Sequence, residues 1–275
     1  MKIIIFLSLV LLSGCNLLER TEYSARDQFK HCDTCPEMIV IPTGEFIMGS
    51  PVTEINRGQD ESPQREIFVD YNFAVGVFEI TFEQWERCLN QKACDHNPID
   101  NGWGRGNQPV TNVSWLDTKQ YIAWLSNKTG HQYRLLTEAE WEYVARAGSK
   151  KRFWWGDESP KGKAVCLQCD LTGKSNNMSN PVGSYSPNPF GLYDLHGNVW
   201  EWVEDCWSEN YTLHPADTSA FIPNGECKRR VVRGGAWPNG GRQLRSANRS
   251  WKSPNHRSTN GKGFRVAMTL PKVVN

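Results

Sequence analysis

The sequence lacks long apolar runs except at its start. Residues 1–14 carry one charge at Lys2, an apolar run as far as Leu12, and small residues before Cys15. This order is typical of a cleaved signal peptide. An uncleaved anchor helix is the alternative, but the run is shorter than the roughly 20 residues that a bilayer-spanning helix needs. No later segment is long and apolar enough to span a membrane, which argues against a multi-span membrane protein.

The residues at the predicted cleavage site resemble the bacterial lipobox. In Leu12-Ser13-Gly14-Cys15 the cysteine has the position at which such proteins are lipidated and begin after processing. We therefore expect a lipid anchor on Cys15 and a place in the bacterial cell envelope. Asn16 follows, and the absence of Asp there favours the outer membrane, at its periplasmic or surface face. The polar, unpatterned residues that come next predict a tether over 15–34.

Acidic residues are absent from the C-terminal part of the chain. Lys228–Asn275 contains 12 Lys and Arg but no Asp or Glu. The part from Cys15 to Cys227 holds 18 basic residues against all 30 acidic ones, so the two parts carry about −12 and +12 charges. The simpler explanation is that the basic segment folds back on the acidic body. The other is that some of its arginines face an anionic ligand or an acidic partner.

Cysteine is also absent after Cys227. Of nine cysteines, eight remain when Cys15 is set aside, and an even number in an exported chain favours disulfides. The spacing suggests four short loops, although sequence does not fix the pairing: Cys32/Cys35, Cys88/Cys94, Cys166/Cys169 and Cys206/Cys227. The alternatives for the two C-x-x-C pairs are one four-thiolate zinc site or a redox-active motif, which would need a strand-to-helix setting that neither pair has.

No catalytic constellation has a recognisable spacing. The six histidines are scattered, without two at i and i+4, so we expect them to be structural or on the surface. A nucleophile with an adjacent base is not evident either, and the catalytic residues stay unknown. The basic C-terminal part carries no nucleic-acid-binding motif, so nucleic acid is not an expected partner.

Little of the chain has the periodicity of regular secondary structure. Three helix starts are marked by capping chemistry at Thr81, Ser114 and Thr137, each followed three residues later by an acidic or amide side chain. Each opens an amphipathic helix whose tryptophans suit burial. We expect the second helix to end at Gly130 and the third at Gly148.

Strands are expected only as short pieces. Cys35–Ser50 predicts two strands broken at Pro42-Thr43-Gly44, a hairpin signal, and a loop follows over residues 51–65. The other strand candidates are Ile67–Tyr71, Phe73–Glu79, Phe153–Gly156, Val199–Val203, Arg230–Arg233 and Gly263–Met268.

Phe190–Trp207 is the richest stretch of the sequence. It combines three tryptophans, a glycine turn, several polar side chains and Cys206. Its pattern has neither a helical nor a strand period, which indicates a structured loop that enters a short aromatic strand.

Six motifs in a fixed order carry a family resemblance. They are Met38–Gly44 with Met48–Ser50, Pro109–Trp115, Tyr133–Glu142, Gly191–Trp202, Arg233–Trp237 and Gly263–Arg265. In this order the chain resembles the formylglycine-generating enzymes, also called sulfatase-modifying factors. The resemblance implies one α/β domain of the formylglycine-generating type, C-type-lectin-like, with a few capped helices and short strands. This domain would cover residues 35–270 and leave a tail at 271–275.

The copper site of that family is missing. Its oxidases hold Cu(I) through two cysteines just after the motif that corresponds to Arg233-Gly234-Gly235, because Cu(I) prefers soft thiolates. Here the stretch Ala236–Arg245 contains no cysteine, so no copper is expected. Iron-dependent oxidases of this fold use histidines on an additional helical domain, for which this chain has no room. A periplasmic relative that matures pyoverdine also acts without the copper pair, which keeps an enzymatic role open.

The resemblance also implies a structural calcium ion. The family's second calcium site corresponds to Asp194, Gly197, Val199 and Glu201, where carboxylates and backbone carbonyls supply the hard oxygen ligands that Ca²⁺ prefers. The alternative is a tight turn held by hydrogen bonds of Asp194 and Asn198. On either interpretation, Phe190–Trp207 is a structural element and not the active site.

Two classes of function follow from these observations. The first is an exported maturation or oxidoreductase-type factor of unidentified chemistry. The second is a non-catalytic surface module that binds an envelope protein, a peptide or another ligand through Arg233–Arg265. In related proteins this segment is framed by Arg-Gly-Gly and Gly-Phe-Arg motifs and can vary. Its candidate ligand-binding residues are Trp237, Asn239, Arg242, Arg245 and Trp251.

Overall fold

The computed structural model describes residues 23–170, 177–259 and 261–271. The predicted signal peptide, the lipidation candidate Cys15 and all but the first residue of the predicted tail lie outside these ranges. Within them, no helix combines the length and the apolar character needed to cross a membrane.

Short helices and strands alternate with long irregular segments. The helices are α1 (Phe82–Asn90), α2 (Trp115–Thr129) and α3 (Glu138–Arg146), with a 3₁₀ turn at Gln59–Glu61. The strands are β1 (Gln28–Phe29), β2 (Met38–Ile41), β3 (Gly44–Met48), β4 (Arg65–Val69), β5 (Phe73–Gly76), β6 (Tyr133–Arg134), β7 (Trp200–Cys206), β8 (Arg230–Arg233), β9 (Arg249–Lys252), β10 (Lys262–Gly263) and β11 (Ala267–Thr269). The predicted mixed fold with little regular structure is confirmed.

The strands form three small sheets. The largest has the order β1-β2-β5-β11-β6 and is antiparallel throughout, so a C-terminal strand lies between two strands from the first half of the chain. The second has the order β10-β7-β8-β9, and only its β10–β7 pair is parallel. The third consists of β3 and β4. Three of the four strands of the second sheet, β8, β9 and β10, therefore come from the basic C-terminal segment.

Three expectations about strands need correction. β2 and β3 do not pair across Pro42-Thr43-Gly44, because β2 pairs with β1 and β5 while β3 pairs with β4. The break thus separates two sheets instead of forming a hairpin. The predicted strand Phe153–Gly156 is only a bridge between its two end residues. Gly263–Met268 is divided between β10 and β11, which belong to different sheets.

The predicted tether lies partly inside the folded domain. The backbone N–H of Arg26 donates to the carbonyl of Val40 at 2.8 Å, and β1 pairs with β2. The described part of the tether, residues 23–34, therefore extends the large sheet. A two-residue strand is too short to produce a periodic pattern, which explains why the sequence did not predict it.

The three predicted helix starts are confirmed. The side chains of Thr81, Ser114 and Thr137 each accept a hydrogen bond from the backbone N–H three residues later. Gly130 ends α2 in the left-handed conformation, as expected. In α3 this conformation falls on Ala147, one residue before the predicted Gly148.

Tryptophans form much of the core. Trp85, Trp141 and Trp202 are among the largest fully buried side chains. The indole N–H of Trp85 donates to the carbonyl of His96 at 3.0 Å, and that of Trp202 donates to Val113 at 3.0 Å. Because a buried indole N–H needs a partner, these bonds hold the irregular segments against the core.

All four expected cysteine pairs are bonded. The disulfides are Cys32–Cys35, Cys88–Cys94, Cys166–Cys169 and Cys206–Cys227. Each C-x-x-C pair is closed on itself, so the two pairs do not share a zinc ion here. Two of the disulfides tie a regular element to an irregular segment, since Cys88 lies in α1 and Cys206 ends β7.

We predict that Thr137→Ala lowers the free energy of unfolding by about 1 kcal/mol, because it removes the side-chain cap of α3. Thr53→Ala, at an exposed loop position, should change it by less than about 0.5 kcal/mol. Urea unfolding followed by tryptophan fluorescence measures both values. Equal losses in the two variants would contradict the structural role of the cap.

Candidate functional site

Four arginines of the C-terminal segment lie in the protein interior. Arg233, Arg245 and Arg265 are 0% exposed, and Arg249 is 6% exposed. A buried charge is unfavourable unless it is paired and hydrogen-bonded. Each of these guanidinium groups accordingly contacts a carboxylate from the earlier, acidic part of the chain.

Arg233 joins α3 to the turn that precedes β9. It donates to Glu142 at 2.5 Å and to the carbonyl oxygens of Ser246, Ala247 and Asn248 at 2.9, 3.0 and 2.7 Å. Those carbonyls lie outside any strand, so the guanidinium supplies hydrogen bonds that a regular element would otherwise provide.

Arg245 is held by two acidic residues from the loop between β3 and β4. It donates to Glu54 at 2.6 Å and to the two carboxylate oxygens of Glu61 at 2.5 and 2.9 Å. Ser50 donates its hydroxyl to the same Glu61 carboxylate at 2.6 Å. Burial alone would raise the pKa of Glu61, but the hydrogen bonds and charge of Arg245 outweigh it and hold that pKa below its ordinary value.

Arg249 and Arg265 form two further pairs. Arg249 donates to both carboxylate oxygens of Glu138 at 2.6 and 2.9 Å. Arg265 does the same to Glu201 at 2.7 and 2.8 Å. The basic segment therefore folds back on the acidic body, which is the simpler of the two explanations for the charge asymmetry.

The structure disperses the predicted ligand-binding residues. Arg245 is enclosed by its carboxylate partners, which corrects the expectation that it meets a ligand from solvent. Arg242 is exposed. The side chain of Asn239 accepts from the backbone N–H of Ala236 at 3.0 Å and so closes a turn. Trp237 packs edge-to-face against Trp103 with ring centroids 5.3 Å apart.

Trp251 lies on β9, which is one of the two edge strands of the second sheet. It is 39% exposed, its ring lies 4.7 Å from the guanidinium of Arg229, and Trp207 packs near it at 6.5 Å. Trp207 and Trp251 border an open cleft of about 660 Å³. The cleft is lined by Gln59, Asp60, Trp207, Glu209, Asn210, Arg249, Ser250 and Trp251.

A second open cleft of about 610 Å³ is rich in aromatic side chains. Its lining includes Trp154, Trp155, Tyr185, Tyr193 and Lys163. The sequence did not predict this cleft, because its residues come from separate loops without a shared motif.

The predicted calcium loop has the backbone of a tight turn. Asp194 and Asn198 both have positive φ angles, of 60° and 57°. A Cβ atom at Gly197 would lie 2.3 Å from the carbonyl oxygen of Val165, so only glycine fits there. Asp194 accepts from the backbone N–H of Gly183 at 2.7 Å. These contacts support the turn interpretation and leave the calcium interpretation as a proposal.

The carboxylates beside this turn outnumber the cations. Glu201 accepts from Arg265 and, at 2.9 Å, from the indole N–H of Trp141. Glu79, which the sequence did not single out, is buried next to it and accepts from Asn198 at 3.0 Å. Burial, followed by the charges of Asp194 and Glu201, raises the pKa of Glu79 well above its ordinary value. Burial also raises the pKa of Asp194, to about 6.

A second acidic group lies under the Trp251 cleft. One ligand atom each from Glu138, Asp205 and His214 lies within 4.8 Å of the other two. Glu138 is bonded to Arg249, and His214 lies 2.6 Å from the hydroxyl of Ser208. The guanidinium of Arg249 pairs with Glu138, and burial followed by the charge of Glu138 raises the pKa of Asp205 to about 8. These residues therefore form a largely buried polar network.

A family model described as sulfatase-modifying factor enzyme 1-like domain matches residues 24–270. Formylglycine-generating enzyme of Mus musculus is 30% identical over 290 residues, which cover 84% of this chain and 74% of that enzyme. Serine/threonine-protein kinase pkn1 of Chlamydia caviae is 32% identical over 241 residues, which cover 79% of this chain but only 36% of the kinase.

A solved structure is also similar. PvdO from Pseudomonas aeruginosa has a TM-score of 0.81 and 37% sequence identity, over 90% of this chain and 100% of that one. The fold is thus the C-type-lectin-like α/β fold of the formylglycine-generating type. The chain belongs to the sulfatase-modifying factor enzyme 1-like domain family.

We predict that Arg233→Met lowers the free energy of unfolding by about 3–5 kcal/mol, because it leaves one oxygen of Glu142 and the carbonyls of Ser246, Ala247 and Asn248 buried without this donor, although Arg146 still pairs with the other oxygen of Glu142. Arg242→Met, on an exposed side chain of the same segment, should change it by less than about 0.5 kcal/mol. Chemical denaturation of both variants measures the difference. A loss below about 1 kcal/mol for Arg233→Met would contradict the structural role of this arginine.

Proposed function

We propose that the protein is an exported, lipid-anchored maturation factor of oxidoreductase type that works without the copper chemistry of formylglycine-generating enzymes. The observation that carries this proposal is the state of the cysteines. The eight cysteines of the described residues are all in disulfides, and Ala236–Arg245 contains none. No described thiolate is therefore available for Cu(I), which prefers soft sulfur ligands.

The turn after the Arg233-Gly234-Gly235 motif supports a role other than copper binding for this region. Asn239 closes the turn through its side chain, and its carbonyl accepts from the backbone N–H of Leu167 at 2.9 Å. The turn is built from hydrogen bonds of hard nitrogen and oxygen atoms. The identity to PvdO over the whole of that chain supports a function of the same kind as that of PvdO.

We predict that the purified mature domain does not convert the cysteine of a Cys-x-Pro-x-Arg peptide to an aldehyde when Cu(I) and oxygen are supplied. Mouse formylglycine-generating enzyme serves as the positive control, and mass spectrometry of the peptide is the measurement. Detectable aldehyde would contradict the proposal that this chain lacks that activity.

The maturation role itself is tested in the native organism. Deletion of the gene should cause a less oxidised precursor to accumulate in the envelope, and the purified protein, added together with molecular oxygen as the electron acceptor, should convert it. Mass spectrometry of envelope extracts detects the precursor by its two additional hydrogen atoms. If the extracts are unchanged and the protein retains a molecule without altering it, the second function is favoured.

The second candidate is a binding module. Its supporting observation is the cleft at Trp251, in which an exposed tryptophan and a neighbouring arginine resemble the anchors of protein interfaces. Arg233, Arg245 and Arg265 are buried, so such a surface would use only the exposed part of the Arg233–Arg265 segment. An envelope protein or peptide is the partner that this candidate implies.

We also propose that the protein binds a structural calcium ion beside Asp194 and Glu201. Glu79, Asp194 and Glu201 place three carboxyl groups around the single guanidinium of Arg265, an excess of acid that a cation would offset. The charge of the site therefore fits calcium. Because both oxygens of Glu201 already accept from Arg265, Glu201 would have to share its carboxylate between the arginine and the ion.

We predict that calcium at about 100 times its Kd stabilises the chelator-treated protein by about 2.7 kcal/mol. Differential scanning calorimetry with and without calcium measures the shift. Asp194→Ala should abolish it, whereas Asp157→Ala, at an exposed acidic residue, should leave it unchanged. A melting temperature that does not respond to calcium would favour the simple hydrogen-bonded turn.

We predict that Cys15→Ser releases the protein from the membrane fraction, because the lipid on Cys15 is the proposed anchor. Metabolic labelling with a palmitate analogue, followed by fractionation, measures both lipidation and location. Cys227→Ser serves as the control, since its sulfur lies in a disulfide. Labelling that survives Cys15→Ser would contradict the proposed anchor.

A further inference from the structure

The Trp251 cleft combines two tryptophans with groups of both charges. Trp207 and Trp251 line it, with ring centroids 6.5 Å apart and ring planes inclined by 44°. Asp60 and Glu209 contribute acidic side chains to the lining, and Arg249 contributes a basic one. The charge of a matching ligand depends on which of these groups the protein has already neutralised.

Arg249 is engaged from within the protein. Its Nε and Nη2 atoms donate to the carboxylate of Glu138. Its Nη1 atom donates to the carbonyls of Asp60 and Ser208 at 2.8 and 3.1 Å. The guanidinium also lies over the ring of Trp207, with its central carbon 4.5 Å from the ring centroid. Because its charge is already paired, the cleft offers little to an anionic ligand.

Glu209 is paired as well. Its carboxylate lies 3.2 Å from the guanidinium of Arg229, and it accepts from the indole N–H of Trp207 at 3.4 Å. Arg229 in turn lies over the ring of Trp251, at 4.7 Å from the centroid. The charges of this exposed pair cancel, so neither member attracts a ligand by its net charge.

Asp60 is the group that has no cation of its own. Among residues 23–170, 177–259 and 261–271, no basic side chain lies within salt-bridge distance of its carboxylate. Arg249 and Arg233 are close enough to act on it, but each is bonded to a glutamate. Burial raises the pKa of Asp60, and the charge of Arg249 opposes that rise only in part. One half-buried acidic group of the cleft is therefore left uncompensated.

We propose that the Trp251 cleft binds a lysine or arginine side chain of a protein partner, with Asp60 as the counter-charge and the rings of Trp207 and Trp251 as the packing surface. A cation is attracted to the face of an indole, and the apolar stem of a long basic side chain packs on the same rings. Arg229 and Arg249 already use these two rings in this way. The inference rests on the binding-module candidate and names the chemistry of its partner.

Isothermal titration calorimetry with four capped tetrapeptides tests the proposal at low, constant ionic strength. The peptides consist of lysine, arginine, serine or glutamate alone. We expect the wild-type protein to bind the lysine or the arginine peptide and neither of the others. Asp60→Asn should weaken that binding about tenfold, because it removes the charge that pairs with the ligand. Trp251→Ala should weaken it about fivefold, because it removes one of the two rings.

Asp157→Asn is the matched control, because it removes the same charge from an exposed acidic residue outside the cleft. Its affinity should equal that of the wild type. Thermal unfolding verifies that each variant is folded, and Trp251→Ala, at an exposed position, gives a result even if Asp60→Asn fails to fold.

The outcomes separate this inference from the candidate function on which it rests. If the serine or glutamate peptide binds and Trp251→Ala abolishes that binding, the cleft is a binding site but the cationic ligand is wrong. Equal affinity of a basic peptide for all variants would also overturn the inference, because the contact would then be non-specific. Absence of binding for all four peptides up to about 5 mM would overturn both the inference and the binding-module candidate.

Discussion

The structure depends on arginines of the C-terminal segment that pair with buried glutamates. Such pairs contribute little net stability, because desolvation offsets their attraction, but the loss of one partner is strongly destabilising. In this protein the same guanidinium groups also bind backbone carbonyls of irregular segments. Arg265, for example, donates to the carbonyls of Val77 and Tyr193 at 3.2 and 2.8 Å. A fold with few strands and helices must satisfy its buried carbonyls by other means, and these arginines do so.

Local chemistry explains which parts of the fold were predictable from the sequence. The helix starts at Thr81, Ser114 and Thr137 depend on residues three positions apart, and the disulfides close mostly short loops. Sheet membership is not local, since β11 leaves the neighbourhood of β10 to pair with β5 and β6. The ordered motifs supplied the family fold. Neither periodicity nor motif indicated that Pro42-Thr43-Gly44 separates two sheets.

The site residues were harder to predict for the same reason. Arg242 and Arg245 are three positions apart with similar sequence surroundings, yet one is exposed and the other is enclosed. The difference comes from Glu61, which lies 184 positions from Arg245 in the chain. Glu79 likewise has no motif of its own and joins Asp194 and Glu201 only through the fold. Among the scattered histidines, His196 is buried and lies 2.7 Å from the carbonyl of Leu244, which fits the structural role expected for it.

The buried ion pairs also define where function can be sought. They remove four of the eight arginines of the C-terminal segment from the surface and leave the Trp251 cleft open to ligands. A double-mutant cycle on Arg245 and Glu61 tests this account most directly, with Arg245→Met, Glu61→Gln and the double variant compared by chemical denaturation. The account predicts a coupling energy of about 2–3 kcal/mol. Effects that add to within about 0.5 kcal/mol would contradict it.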